Sequence, residues 1–207
     1  MDDFPFSASD DTPNQFVRMR LDRFMKDLRD REVNDTVRKH ILLGDCYILN
    51  PDSHYDFRST ISGHYKIHPE EVHIVGSGQL GFSIADGKRY RPFSIKSDID
   101  VAIVSSDLFD RVWTTVVRYD GQGADWRENK SMFRKYLMNG WIRPDALPQA
   151  ESFSLTREWW QFFQKLSSET QNGRFKVSGG LYRTNEFLEL YQERSVRSCK
   201  AALELTR

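Results

Sequence analysis

Val75-Gly76-Ser77-Gly78-Gln79-Leu80-Gly81, followed by Ser97-Asp98-Ile99-Asp100-Val101-Ala102-Ile103-Val104, is the stretch from which the fold is read. Its second half is an apolar, β-branched run that reads as a strand, with Asp98 and Asp100 two residues apart in it. Strand side chains alternate between faces, so residues i and i+2 point the same way. Two carboxylates on one face repel each other and invite a divalent cation between them. Val72-His73-Ile74-Val75 reads as a short strand running into a tight Gly-Ser turn. The bare backbone N–H groups of such a turn suit phosphate oxygens. The two halves together predict a site for a magnesium–nucleotide complex.

Upstream of this stretch the chain reads as helical over 12–66, after a polar, mobile start at 1–11. Thr12-Pro13 has the chemistry of a helix N-terminus, and Phe16, Met19, Leu21, Phe24, Met25 and Leu28 follow at helical spacing. A second helix is expected over Asn34 to Leu43, ending near Gly44. A third is expected over roughly 53–66, with Tyr55, Ile61 and Tyr65 inward. Between the two halves of the site, Asp86-Gly87 marks a hairpin tip inside an irregular 81–96 spacer.

Downstream, Ser105-Ser106-Asp107 caps a helix running to about Arg118, and residues 128–141 read as helical with Met132, Phe133, Tyr136, Leu137 and Trp141 as one stripe. Pro144 to Ser154 is a linker, and Thr156 to Ser168 a helix rich in Trp and Phe. Asn172-Gly173 is a turn, Arg174 to Ser178 a strand, and Thr184 to Leu205 a long final helix with Phe187, Leu188, Leu190 and Tyr191 inward. The expected fold class is α+β: a small mixed β-sheet carrying the Gly-Ser and Asp-x-Asp site, flanked by N-terminal and C-terminal helices. The chain reads as one domain, 1–207, whose core is 72–207.

Composition narrows the function class. The 30 basic and 30 acidic residues cancel, which argues against a protein that coats nucleic acid nonspecifically. Two cysteines, Cys46 and Cys199, do not make a disulfide framework. The start Met1-Asp2-Asp3-Phe4-Pro5 is acidic and lacks a signal-peptide pattern, and no apolar run approaches the ~20 residues that span a bilayer. A cytoplasmic protein with no membrane partner is the expectation.

The order of strand, Gly-Ser turn, spacer and strand with Asp-x-Asp resembles the nucleotidyltransferase superfamily with the DNA polymerase β-like fold. Val75-Gly76-Ser77 and Asp98-Ile99-Asp100-Val101 carry the resemblance, and Gly81 and Ser97 extend it to the minimal bacterial type. These motifs cover roughly 30 residues of the chain. The resemblance implies that Asp98 and Asp100 are catalytic metal ligands holding two Mg²⁺ ions with a bound nucleoside triphosphate, ATP among the candidates. It implies that Gly76 and Ser77 bind phosphate, with Lys96 and its neighbours Lys88, Arg89 and Arg91 supplementing them. The implied activity moves a nucleoside monophosphate to a hydroxyl of a protein, an RNA 3′ end or another nucleotide. Small relatives of this kind often act in bacterial toxin–antitoxin or phage-defence systems.

The chain departs from the family pattern in two places. Active members carry a third carboxylate on a later strand, yet Arg174-Phe175-Lys176-Val177-Ser178 holds no acid. Glu186, Glu189, Asp120 and Asp125 are weak substitutes. This supports a second hypothesis, a catalytically degenerate module that binds nucleotide or a partner protein. The spacer is also long and carries Phe82, Tyr90 and Phe93, which read as a lid that stacks on a base or as aromatics packed on the sheet. Elsewhere, His54, His64, His68 and His73 fit no zinc pattern. Trp159-Trp160 with Phe162-Phe163 reads as core with partial exposure or as an interface, and the Arg-rich face of the first helix as a solvated surface or a face for RNA or an acidic partner.

Overall fold

A computed structural model describes residues 15–124, 126–169 and 175–205. The fold is α+β, as its sequence pattern predicts: eight helices and a small mixed sheet of four strands among the described residues. The helices are α1 (Gln15–Asp30), α2 (Val33–Val37), α3 (Pro51–Tyr65), α4 (Gly76–Leu80), α5 (Ser106–Gly121), α6 (Arg127–Leu137), α7 (Ser154–Glu169) and α8 (Asn185–Glu204). The strands are β1 (Val72–Val75), β2 (Ile99–Val104), β3 (Trp141–Ile142) and β4 (Val177–Tyr182), in the order β1-β2-β4-β3. No helix among the described residues is long and apolar enough to cross a membrane.

The chain divides into two compact units. The first contains the described residues of Met1–Asp56, Ile74–Asp100 and Glu189–Arg207. Helix α1 buries Val17, Phe24 and Leu28, spaced to fall on one stripe, and Phe24 meets Phe82 edge-on at 5.4 Å. The predicted cap Thr12 and Pro13 lie outside the described residues. The second predicted helix is split into α2 and a π-helical turn, Arg38–Leu42, which places His40 and Lys39 over Asp27 of α1.

Asp27 is 5% exposed and accepts from Arg31 Nε (2.8 Å), Lys39 Nζ (2.6 Å) and His40 Nε2 (2.8 Å). Burial alone would raise its pKa, but the donors from Lys39, His40 and Arg31 outweigh burial and hold it well below the usual carboxylate range. The depressed folded pKa contributes stability that is present in full above the unfolded value of about 3.9 and is lost as the pH falls below it. Asp27→Asn is expected to cost about 1–3 kcal/mol at pH 7, the lower part being favoured because Lys39 and Arg31 are half exposed and screened. Urea midpoints should show the gap between wild type and variant narrowing between pH 5 and pH 2. A gap that is constant across that range would be incompatible with this linkage.

The second unit contains the described residues of Phe57–His73 and Val101–Leu188. Ser105 caps α5, its hydroxyl accepting from Leu108 N–H at 3.5 Å. In α7 the aromatic run separates by face: Trp159 and Phe163 are buried, Trp160 is 39% exposed, and Phe162 stacks on His64 at 3.8 Å.

Several local expectations are corrected. Trp141 does not continue the α6 stripe. It pairs with Tyr182 in the antiparallel β3–β4 register, and the two rings stack at 5.4 Å. The predicted strand at 174–178 is displaced to 177–182, because Gly179 and Gly180 belong to β4 instead of ending it. A Cβ at Gly179 would lie 2.1 Å from Phe163 Cζ, so the strand lets α7 approach only where it has no side chain. Tyr55 is 66% exposed and Leu190 49%, where an inward position was expected for both. The predicted turn Asn172-Gly173 lies outside the described residues. The linker 144–154 begins with a 3₁₀ turn, Pro144–Ala146, and buries Ala146, Leu147 and Phe153.

Candidate functional site

The Gly-Ser, Asp-x-Asp and basic spacer residues singled out in the sequence all lie in the first unit, within Ile74–Asp100. Strand β1 ends at Val75, whose extended backbone (φ −130°, ψ 179°) turns abruptly at Gly76 (φ +65°) into the five-residue helix α4. The Gly-Ser segment is therefore the first turn of a short helix, not an open loop. Ser77 is half-buried, and its carbonyl accepts from Gly81 N–H at 2.8 Å.

Gly76 lies against Asp100. A Cβ built on it would stand 3.1 Å from Asp100 Oδ2, closer than most Cβ contacts. The site thus needs glycine for two reasons: the left-handed backbone and the space taken by a carboxylate oxygen. Gly76→Ala is expected to cost about 1–2 kcal/mol in thermal melts from backbone strain and to displace the Asp100 carboxylate. A variant as stable as wild type would contradict that backbone requirement.

Asp98 precedes β2 and Asp100 is its second residue, and both are exposed. Ile99 between them is fully buried, so the i, i+2 alternation holds and both acids fall on the side opposite Ile99. Further along β2, Ala102 and Val104 continue the same alternation but are buried. The acids therefore mark the place where that face of the strand emerges to solvent. Lys96 is exposed two residues before Asp98.

The spacer is a hairpin. Phe82 and Pro92 form an antiparallel bridge, Ser83 N–H donates to Arg91 O (2.8 Å), and Tyr90 N–H donates to Ser83 O (2.7 Å). Phe82 and Phe93 are core residues, 1% and 3% exposed, with Phe93 edge-on to Tyr47 at 6.3 Å. They pack in the first unit and do not form a lid. Of the four basic residues, Arg89 bonds Asp86 and the Ser198 hydroxyl, the latter at 2.8 Å, whereas Lys88, Arg91 and Lys96 are exposed.

The later strand supplies no acid: β4 reads Val177-Ser178-Gly179-Gly180-Leu181-Tyr182. Glu189 is engaged by Arg38 at 2.7 Å, and Asp120 accepts from Lys130 at 2.5 Å and from Trp126 Nε1 at 2.9 Å. Glu186 is exposed in the first turn of α8, and Asp125 lies outside the described residues. Among the described residues no cluster of three or more His, Cys, Asp or Glu side chains is placed to hold a metal ion. The histidines do not converge either: His64 stacks on Phe162, and His68 Nδ1 caps the 3₁₀ turn Pro69–Glu71. A pair of exposed carboxylates nonetheless fits Mg²⁺, which keeps several waters and is held by one or two carboxylates together with substrate phosphates, not by an all-protein cage.

Two residues that brace α4 escape the sequence reading. Arg20 and Gln79 hold α4 from behind, Arg20 by donating to the carbonyls of Gln79 and Leu80 and Gln79 by donating to that of Gly44. Gln79 sits within the opening stretch and Arg20 on the Arg-rich face of the first helix, but no local pattern signals contacts between residues 35 to 60 positions apart. In comparisons with known proteins, no family model, no curated protein and no solved structure matches the chain.

Proposed function

We propose that this protein is a magnesium-dependent nucleotidyltransferase, moving a nucleoside monophosphate from a triphosphate, ATP among the candidates, to an acceptor hydroxyl on a protein, an RNA or another nucleotide. The observation that supports this reading is the packing of Asp100 against Gly76, where an added Cβ would stand 3.1 Å from Asp100 Oδ2. It sets one of the two carboxylates beside the Gly-Ser turn, which supports a shared site.

Asp98 and Asp100 would hold Mg²⁺. When bound, the metal supplies Lewis acidity that eases deprotonation of the acceptor and offsets charge on the leaving pyrophosphate. Gly76 and Ser77 orient the triphosphate through backbone N–H groups and the Ser77 hydroxyl, and the exposed Lys96 supplements them with positive charge. The acceptor oxygen bonds the α-phosphorus as the bond to the bridging oxygen of pyrophosphate breaks, and the acceptor proton leaves to solvent. The cytoplasm is the proposed compartment, supported by the two free thiols, Cys46 and Cys199.

The acid-free strand β4 favours a second reading, a module that binds nucleotide or a partner protein without turnover. Purified protein with Mg²⁺, each of the four labelled triphosphates and cell extract separates them. Release of pyrophosphate or a labelled acceptor supports transfer. Intact nucleotide binding with no turnover under any of these conditions would leave only the binding module.

A further inference from the structure

Helix α4 spans about 7.5 Å at 1.5 Å per residue, with Gly76 and Ser77 at one end and four carbonyls to satisfy at the other. Those carbonyls are all engaged. Ser77 O accepts from Gly81 N–H (2.8 Å), Gly78 O from Ile48 N–H (3.1 Å), and Gln79 O from Tyr47 N–H (3.2 Å). Gln79 O also accepts from an Arg20 Nη2 (2.8 Å), and Leu80 O accepts from Arg20 Nε (2.9 Å). The same Nη2 reaches Asp45 O at 2.7 Å, so one guanidinium ties α4 to the 44–48 segment. Gln79 Nε2 adds a donor to Gly44 O at 2.7 Å.

Arg20 is itself fixed. Its guanidinium carbon lies 5.7 Å from the Phe16 ring centroid and 5.8 Å from that of Tyr47, and the two rings stack on each other at 6.0 Å. A cation at a helix C-terminus is also favoured by the carbonyl dipoles. Lysine cannot reproduce the arrangement, because an ammonium lacks the planar fork that reaches three carbonyls at once.

We infer that Arg20 is a positioning residue for the nucleotide site: it sets the orientation of α4 and so presents the Gly76-Ser77 turn to the triphosphate. This rests on the nucleotidyltransferase reading for its functional half. Its structural half stands on the hydrogen bonds alone. All the groups involved lie in the first unit.

The test uses the full chain and the variants Arg20→Gln, Arg20→Lys and, as a control at an exposed position of the same helix, Arg23→Gln. Amide hydrogen exchange at Tyr47, Ile48 and Gly81 is expected to accelerate at least tenfold in Arg20→Gln, with exchange in α8 unchanged. The KM for the triphosphate should rise at least tenfold while kcat falls less than threefold, Arg20→Lys should recover part of both, and Arg23→Gln should match wild type. Unchanged exchange in a folded Arg20 variant would overturn the inference. Faster exchange with an unaltered KM would also overturn it, reducing Arg20 to a structural role. If Arg20→Gln fails to fold, Arg20→Lys carries the same readouts. A wild type without triphosphate binding would overturn the functional reading alone, since exchange decides whether Arg20 holds α4.

Discussion

Asp98→Asn and Asp100→Asn are each expected to lower pyrophosphate release by about a thousandfold or more, equivalent to about 4 kcal/mol of transition-state stabilisation. An amide keeps the size of the side chain but removes the charge that attracts a divalent cation. Both side chains are exposed at the start of β2, so thermal melts should remain close to wild type. Ile99 between them is buried and carries the packing. The two variants should also lose the Mg²⁺ dependence of nucleotide binding, as titration calorimetry with and without the metal would show. Turnover within tenfold of wild type in both variants would remove the carboxylate pair from the mechanism. The decisive comparison is with Gly76→Ala, which retains both charges but displaces the Asp100 carboxylate.

Gly140→Ala is expected to destabilise the protein by about 3 kcal/mol, the largest effect on folding predicted for a single methyl group here. Gly140 has φ +62°, which costs an L-residue about 1–2 kcal/mol. The added Cβ would also fall 2.2 Å from the Phe187 ring, and overpacking of this kind costs about 1–3 kcal/mol. The position is constrained because its carbonyl accepts from Arg183 N–H at 2.9 Å, just before β3 begins. At roughly 2–4 °C per kcal/mol for a chain of this size, the melting temperature should drop by about 6–12 °C. The double variant Gly140→Ala/Phe187→Ala distinguishes the two contributions, because truncating the ring relieves the collision and leaves the backbone strain. A drop under about 2 °C in the single variant would falsify the assignment of that collision.

The parts of the fold that were legible share one property: their determinants are local. Val72–Val75 and Ile99–Val104 are recognisable because β-branched residues are contiguous there, and the helix at Ser106 because Ser105 offers a hydroxyl to its first turn. Gly179-Gly180 misled for the opposite reason. The strand expected over 174–178 stops short of these two glycines, yet they lie inside β4, where Phe163 and Trp141 occupy the space in which their side chains would stand. Trp141 likewise fits a helical stripe by spacing, but its pairing with Tyr182 places it in a strand.

The same division holds at the site. The sequence by itself determined the α+β class, the two acids flanking a buried Ile99, and the glycine that opens the turn, since alternation and backbone sterics act over a few residues. Only the tertiary structure decided that Gly76 faces Asp100 Oδ2, that Phe82 and Phe93 are core and not a lid, and that Arg20 braces α4 from 60 residues away. Those contacts join segments distant in the chain, and their geometry exists only once helices and strands have packed.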